Sequence, residues 1–116
     1  MNIENLKSQM RKGMLEFCVL LILRHKAAYA SEMIAELKGA KLIVVEGTLY
    51  PLLTRLKNDG LLSYEWREST AGPPRKYYSL TPEGDEFLDQ LSDSWREISD
   101  SVDHLQNLTP NTPSQQ

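Results

Sequence analysis

The stretch Ala71-Gly72-Pro73-Pro74-Arg75-Lys76-Tyr77-Tyr78-Ser79-Leu80-Thr81-Pro82-Glu83-Gly84 narrows the folds open to this chain more than any other. A Gly/Pro turn leads through a basic pair into an aromatic strand and then into the start of a helix. Gly72 is expected to take positive φ, while Pro73 and Pro74 fix their own φ and bias the residues before them toward extended backbone, so the chain reverses stiffly. Arg75 and Lys76 then stand at the edge of a hairpin tip, within reach of a phosphate. Thr81 and Pro82 read as an N-cap and a proline at the first helical position, with Glu83, Asp85 and Glu86 placed favourably against the helix dipole.

Upstream, periodicity predicts three more helices. Met10, Met14, Phe17 and Leu21 recur at helical spacing, and Leu15, Cys18 and Ile22 widen the stripe, so a first helix is expected from Lys7 to His25. A second, Ala30 to Lys38, buries Met33, Ile34 and Leu37 and ends at Gly39 in a C-cap role. Leu42-Ile43-Val44-Val45 suits one brief strand. In the third helix, Glu46 to Asn58, Leu49, Leu52, Leu53 and Leu56 share one face. Pro51 requires that helix to begin near Glu46 or Gly47, since proline is expected only within the first turn. After Asp59-Gly60, Leu62, Tyr64 and Trp66 alternate with polar residues in a half-buried strand, and Tyr78 and Leu80 share the inward face of the returning strand.

The order helix, helix, brief strand, helix, strand, wing, strand, helix is that of a winged helix-turn-helix, a mainly α fold with a small β-hairpin. In it the third helix enters the major groove and the wing lies against the DNA backbone. The expected division is residues 1–80 for the DNA-binding region, 81–107 for a C-terminal dimerisation helix and 108–116 for a disordered tail. Opposite the leucine face, a helical wheel places Gly47, Pro51, Thr54 and Asn58 outermost, with Tyr50 and Lys57 on one flank and Thr48 and Arg55 on the other. Tyr50, Thr54 and Arg55 carry hydrogen-bonding groups for bases or phosphates, and Lys57, Arg75 and Lys76 supply point charge. Two bland roles stay open: Tyr50 packing on the wing, and Arg55 pairing with Asp59 one turn on.

A net charge of −3 looks adverse for a nucleic-acid binder until it is divided along the chain. Residues 1–80 hold 12 Lys and Arg against 8 Asp and Glu, whereas residues 81–116 hold 1 against 8. A basic body is thus joined to an acidic helix that must point away from phosphate. No Gly-rich phosphate loop or paired metal-ligand spacing occurs, and His25 and His104 fall on separate helices, so neither an enzyme nor a cofactor is expected. The longest apolar run, Phe17 to Leu23, is far short of a membrane span and lacks a signal-peptide cleavage pattern, so a cytoplasmic protein is expected. Cys18, the single cysteine, fits a reducing compartment; a sensor role would need exposure and a lowered pKa.

Glu46-Gly47-Thr48-Leu49-Tyr50-Pro51-Leu52-Leu53-Thr54-Arg55-Leu56, then Asp59-Gly60-Leu61-Leu62 and Gly72 through Thr81, resemble the PadR family of bacterial transcriptional regulators. The resemblance spans about residues 10 to 105 and is closest to the short subclass with one helix after the wing. Tyr29-Ala30 stands where that family favours Tyr-Gly, and Val44-Val45 where a polar cap often begins the recognition helix.

In the last helix Leu88, Leu91, Trp95, Ile98, Val102 and Leu105 follow a/d spacing for about two and a half heptads, a stripe so small a domain cannot cover itself. The resemblance implies that this helix packs on the first helix of a second copy, against Met10, Met14 and Phe17. The resulting homodimer would present two recognition helices about 34 Å apart to double-stranded DNA of pseudo-palindromic sequence. Trp95 is open to two readings: an interface anchor, or, as the resemblance to multidrug-sensing members implies, a ring on which a small planar apolar or aromatic effector stacks to release a repressor from DNA. A winged-helix adaptor that binds protein instead of DNA is the competing class.

Overall fold

Val19, Leu20 and Leu23, from the apolar run of the first helix, are buried at the centre of the fold. The computed structural model describes residues 1–110, ordered as α1 (Ile3–His25), α2 (Ala30–Gly39), α3 (Glu46–Asn58), β1 (Leu62–Ser69), β2 (Gly72–Leu80) and α4 (Pro82–Gln106). This is the expected winged helix-turn-helix with a further C-terminal helix. Around the α1 residues close Met33 and Leu37 of α2, Leu49, Leu52, Leu53 and Leu56 of α3, Leu62 and Tyr78 of the hairpin, and Leu88 of α4. No helix among the described residues is long and apolar enough to cross a membrane. The expected tail falls partly on residues 111–116, which lie outside the described residues.

Helix ends depart from expectation for identifiable reasons. α1 starts at Ile3, four residues before Lys7, because the Asn2 side chain accepts a hydrogen bond from the Glu4 N–H at 2.8 Å. α2 does not end on a left-handed glycine: Gly39 is its last helical residue and Lys41 takes the positive φ, 65°. The Leu42 N–H then reaches the Leu37 carbonyl at 2.8 Å, and the Lys41 N–H the Lys38 carbonyl at 2.9 Å. α3 closes in the same way with Gly60 at φ 80°, its Leu61 and Gly60 N–H groups bonding the Leu56 and Lys57 carbonyls at 3.0 Å. α3 begins at Glu46 as expected, yet Pro51 sits in its second turn. There it lacks the N–H that would bond the Gly47 carbonyl, and the absent Gly47 side chain keeps this face of the turn open.

The hairpin also corrects the reading of its turn. β1 and β2 pair from Leu62↔Leu80 to Arg67↔Arg75 and resume at Ser69↔Gly72, which puts one extra residue on β2 opposite Glu68. Reversal therefore occurs at Thr70-Ala71, and Gly72 is not among the positive-φ residues. Pro73 and Pro74 occupy the bulge, where their missing N–H groups cost no ladder bond. Residues 42–45 form no strand. Instead Ala28 pairs with Tyr78 on the open side of β2, through N–H···O bonds of 3.1 and 2.9 Å, and anchors the hairpin to the chain between α1 and α2.

Candidate nucleic-acid interface

Burial of the four leucines of α3 turns its remaining surface outward: Gly47, Thr48, Tyr50, Pro51, Thr54, Arg55 and Lys57 are all exposed. The two flanks read from the helical wheel have different neighbours. Tyr50 and Thr54 face the wing and line a cleft of about 320 Å³ with Tyr29, Ser31, Trp66, Arg75 and Lys76. A second hollow below it is lined by Thr54, Lys57, Asn58, Tyr64 and Lys76. Thr48 and Arg55 face α1, where Arg55 pairs with Glu16 rather than with Asp59. The sequence thus identified the two flanks but not the partner of Arg55, which comes from a helix 39 residues away.

Strand alternation separates the basic pair of the wing. Lys76 stands opposite Trp66 on the face turned to α3, with its ammonium 4.5 Å from the Tyr64 ring centroid and 5.3 Å from that of Trp66. Arg75 takes the other face, stacked 4.4 Å over Tyr29, whose ring meets Tyr77 edge-on at 5.1 Å. Arg67, opposite Arg75, lies 4.4 Å over Tyr77 and donates from Nε to Glu65 at 2.7 Å. The aromatic faces hold these cations in place. Each long side chain accordingly has less freedom to lose when it meets a phosphate.

Trp66, read as inward-facing, is 61% exposed; of the β1 alternation only Leu62 is buried. Burial of Tyr78 pushes its phenol pKa up, an effect to which Tyr50 and Tyr64 add, so the ring stays neutral at the floor of the cleft. The α3 N-terminus has no side-chain cap: Val45 serves through its carbonyl alone, accepting from Thr48 and Leu49 N–H at 3.0 and 3.2 Å. Its first N–H groups are left for solvent or an anion. Tyr29, Ser31 and Trp66 line the cleft without having been expected there from the sequence. Tyr29 had a signal in the motif before α2, whereas nothing local marks Ser31.

On the far side, Leu88 is fully buried within its own chain's core and so belongs to the fold instead of to a surface seam. Leu91 is half-buried, whereas Trp95, Ile98, Val102 and Leu105 are exposed along the projecting part of α4. Met10 is exposed and Met14 and Phe17 are half-buried on α1. Burial pushes the Cys18 thiol pKa up, the opposite of what a reactive thiol needs.

A recognition helix flanked by a cation-bearing hairpin defines a winged-helix DNA-binding protein. The model of the transcriptional regulator PadR-like family matches residues 19–90, and the chain belongs to that family. It is similar to a PadR-like transcription factor from Bacteroides fragilis, with 66% identity, a TM-score of 0.73, and coverage of 87% of this chain and 98% of that one. A PadR family regulator from Eggerthella lenta is 33% identical with a TM-score of 0.84, covering 92% and 94% of the two chains. A PadR-like regulator from Bacillus cereus is 36% identical with a TM-score of 0.78, covering 87% and 99%. The protein is thus a DNA-binding regulator of transcription and not an enzyme.

Proposed function

We propose that the protein is a cytoplasmic repressor that binds a pseudo-palindromic operator as a homodimer, reading bases with α3 and gripping phosphates with the wing. One observation carries the reading: Tyr50 and Thr54 of α3 open on the same cleft as Arg75 and Lys76 of the wing. Gly47, Thr48 and Pro51 keep the start of α3 slim enough to enter a groove, and Lys57 adds charge at its far end. Arg55 contributes least among these residues, because Glu16 already neutralises it.

Dimerisation joins Leu91, Trp95, Ile98, Val102 and Leu105 of α4 to Met10, Met14 and Phe17 of the partner copy's α1. It covers the apolar stripe that a single chain leaves exposed. Trp95, 44% exposed at mid-stripe, offers its ring to a planar apolar effector. Such a molecule releases DNA only if it binds the DNA-incompetent arrangement more tightly than the competent one.

The test is selection of bound duplex from genomic DNA by the purified protein, followed by salt titration of the recovered sites. Affinity falling steeply with salt supports the reading, and binding that is absent or indifferent to salt favours an adaptor. Thr54→Ala or Tyr50→Ala should alter the selected sequence, with a loss of about 1–3 kcal/mol in discrimination at the contacted position. Unaltered preferences in both would remove α3 as the reader. For the effector, planar cationic dyes should quench the wild-type fluorescence and leave Trp95→Ala unquenched; equal quenching would exclude Trp95.

A further inference from the structure

The base of α4 is bolted to the recognition unit from two sides. On one side, the Thr81 hydroxyl donates to the Gly60 carbonyl at 2.6 Å and the Thr81 N–H to the Leu61 carbonyl at 3.1 Å, while the Gly84 N–H donates back to the Thr81 hydroxyl at 3.0 Å. Gly60 and Leu61 are the residues that close α3, so the dimer arm is tied directly to the end of the recognition helix. Gly84 is buried there, and a Cβ at this position would collide with the Leu61 carbonyl oxygen. Only glycine lets α4 come this close to that corner.

On the other side stands Arg24, in the last turn of α1. Its Nε donates to Asp85 Oδ1 at 2.9 Å, and one terminal nitrogen bonds both the Asp85 carbonyl at 2.9 Å and Asp89 Oδ1 at 2.8 Å. A planar guanidinium engaging two successive turns fixes rotation of the helix as well as its position. Beyond Leu91, no described residue of the same chain covers Trp95, Ile98, Val102 or Leu105 of α4, and the molecule extends 68 Å along its long axis against 31 and 21 Å across.

We infer that this joint sets the direction of the α4 arm relative to α3 and thereby selects the half-site spacing the dimer accepts, with Arg24 as a positioning residue that touches no DNA. The inference rests on the dimeric reading above. The exposed arm is a lever of about 22 Å from Leu91 to Gln106 at 1.5 Å per residue, so a 10° change at its base moves the far end by about 4 Å. That displacement exceeds the roughly 3.4 Å rise of one base pair, so a loosened joint blurs the distance between the two heads. Arg24 is part-exposed and its carboxylates more so, which makes the clamp a weak contributor to stability and leaves geometry as its main effect.

The test uses the full chain and duplexes carrying two copies of its own selected half-site, with the centre-to-centre spacing varied one base pair at a time. Wild type should prefer one spacing over its neighbours by about tenfold or more, and Arg24→Gln should flatten this to about threefold or less while sedimenting as a dimer. Binding to a duplex with one half-site should stay within about twofold, and Arg24→Lys, which keeps the charge but not the planar fork, should fall between. Spin labels on Asn58→Cys in a Cys18→Ser background read the separation of the two recognition helices without DNA; their distance distribution should broaden in Arg24→Gln. A dimeric Arg24→Gln protein with the wild-type spacing profile and distance distribution overturns the role, as does an equal loss at a single half-site. A monomeric wild type fails differently, by removing the dimeric reading beneath it.

Discussion

Two cations of the same helix, Arg55 and Lys57, lie on opposite flanks of α3, and their surroundings give their removal different consequences. Lys57 stands 5.8 Å from the Tyr64 ring beside the wing cleft, whereas Arg55 is paired with Glu16 on α1. Replacing Arg75 and Lys76 by alanine should weaken binding to all duplexes alike and reduce the slope of log affinity against log salt by roughly 2 per head, whereas Arg55→Ala should leave the slope almost unchanged. Fluorescence anisotropy on one duplex across a salt series measures both; equal slopes for the two variants would contradict this division. Lys41 poses a separate question of backbone strain. It holds a left-handed φ of 65° at the end of α2, where glycine carries no Cβ penalty. Lys41→Gly should therefore stabilise the fold by about 0.5–1 kcal/mol, read as a higher urea midpoint at unchanged m-value.

Among the elements, α3 and α4 illustrate how one amphipathic pattern reaches different ends. Leu49, Leu52, Leu53 and Leu56 are all buried by the chain's own core, and the complementary face of α3 is left to meet a ligand. In α4 the same kind of stripe starts inside the core at Leu88 and then leaves it, so Ile98 at 56% exposure and Leu105 face solvent. A charge placed on that outer portion should break association without touching the head. Val102→Glu should sediment as a monomer with an unchanged helical circular dichroism spectrum and a thermal midpoint no longer dependent on protein concentration. A Val102→Glu protein that still sediments as a dimer would remove this stripe as the interface. The hairpin makes a further point about local chemistry. Both prolines remain compatible with β2 because the bulge places them where no ladder hydrogen bond is required.

Across the whole molecule, charge and shape run together. The basic 1–80 portion forms the head and the acidic α4 extends away from it, so phosphate repulsion acts mainly on the part of the chain furthest from the cleft. A dimer that neutralises about six phosphates, through Arg75, Lys76 and Lys57 of each head, should lose about a thousandfold in affinity between about 50 and about 200 mM salt. A titration showing less than about tenfold loss over that range would mean these cations do not carry the contact. Local pattern alone determined the four helices, the hairpin, the span of α3 and the two flanks of its outer face, because periodicity and cap chemistry act within a few residues. It also identified the cations of the wing and the stripe of α4. Only the tertiary structure decided that Arg55 answers to Glu16, that Arg75 and Lys76 take opposite faces around a bulge, that Trp66 lies outside, that Ala28 rather than residues 42–45 pairs beside β2, and that Leu88 belongs to the core. It likewise brought Arg24 onto Asp85 and Asp89 across 61 and 65 positions of sequence. Each of these depends on which surfaces meet once the helices pack, and spacing along the chain carries no record of a partner that arrives from a distant element.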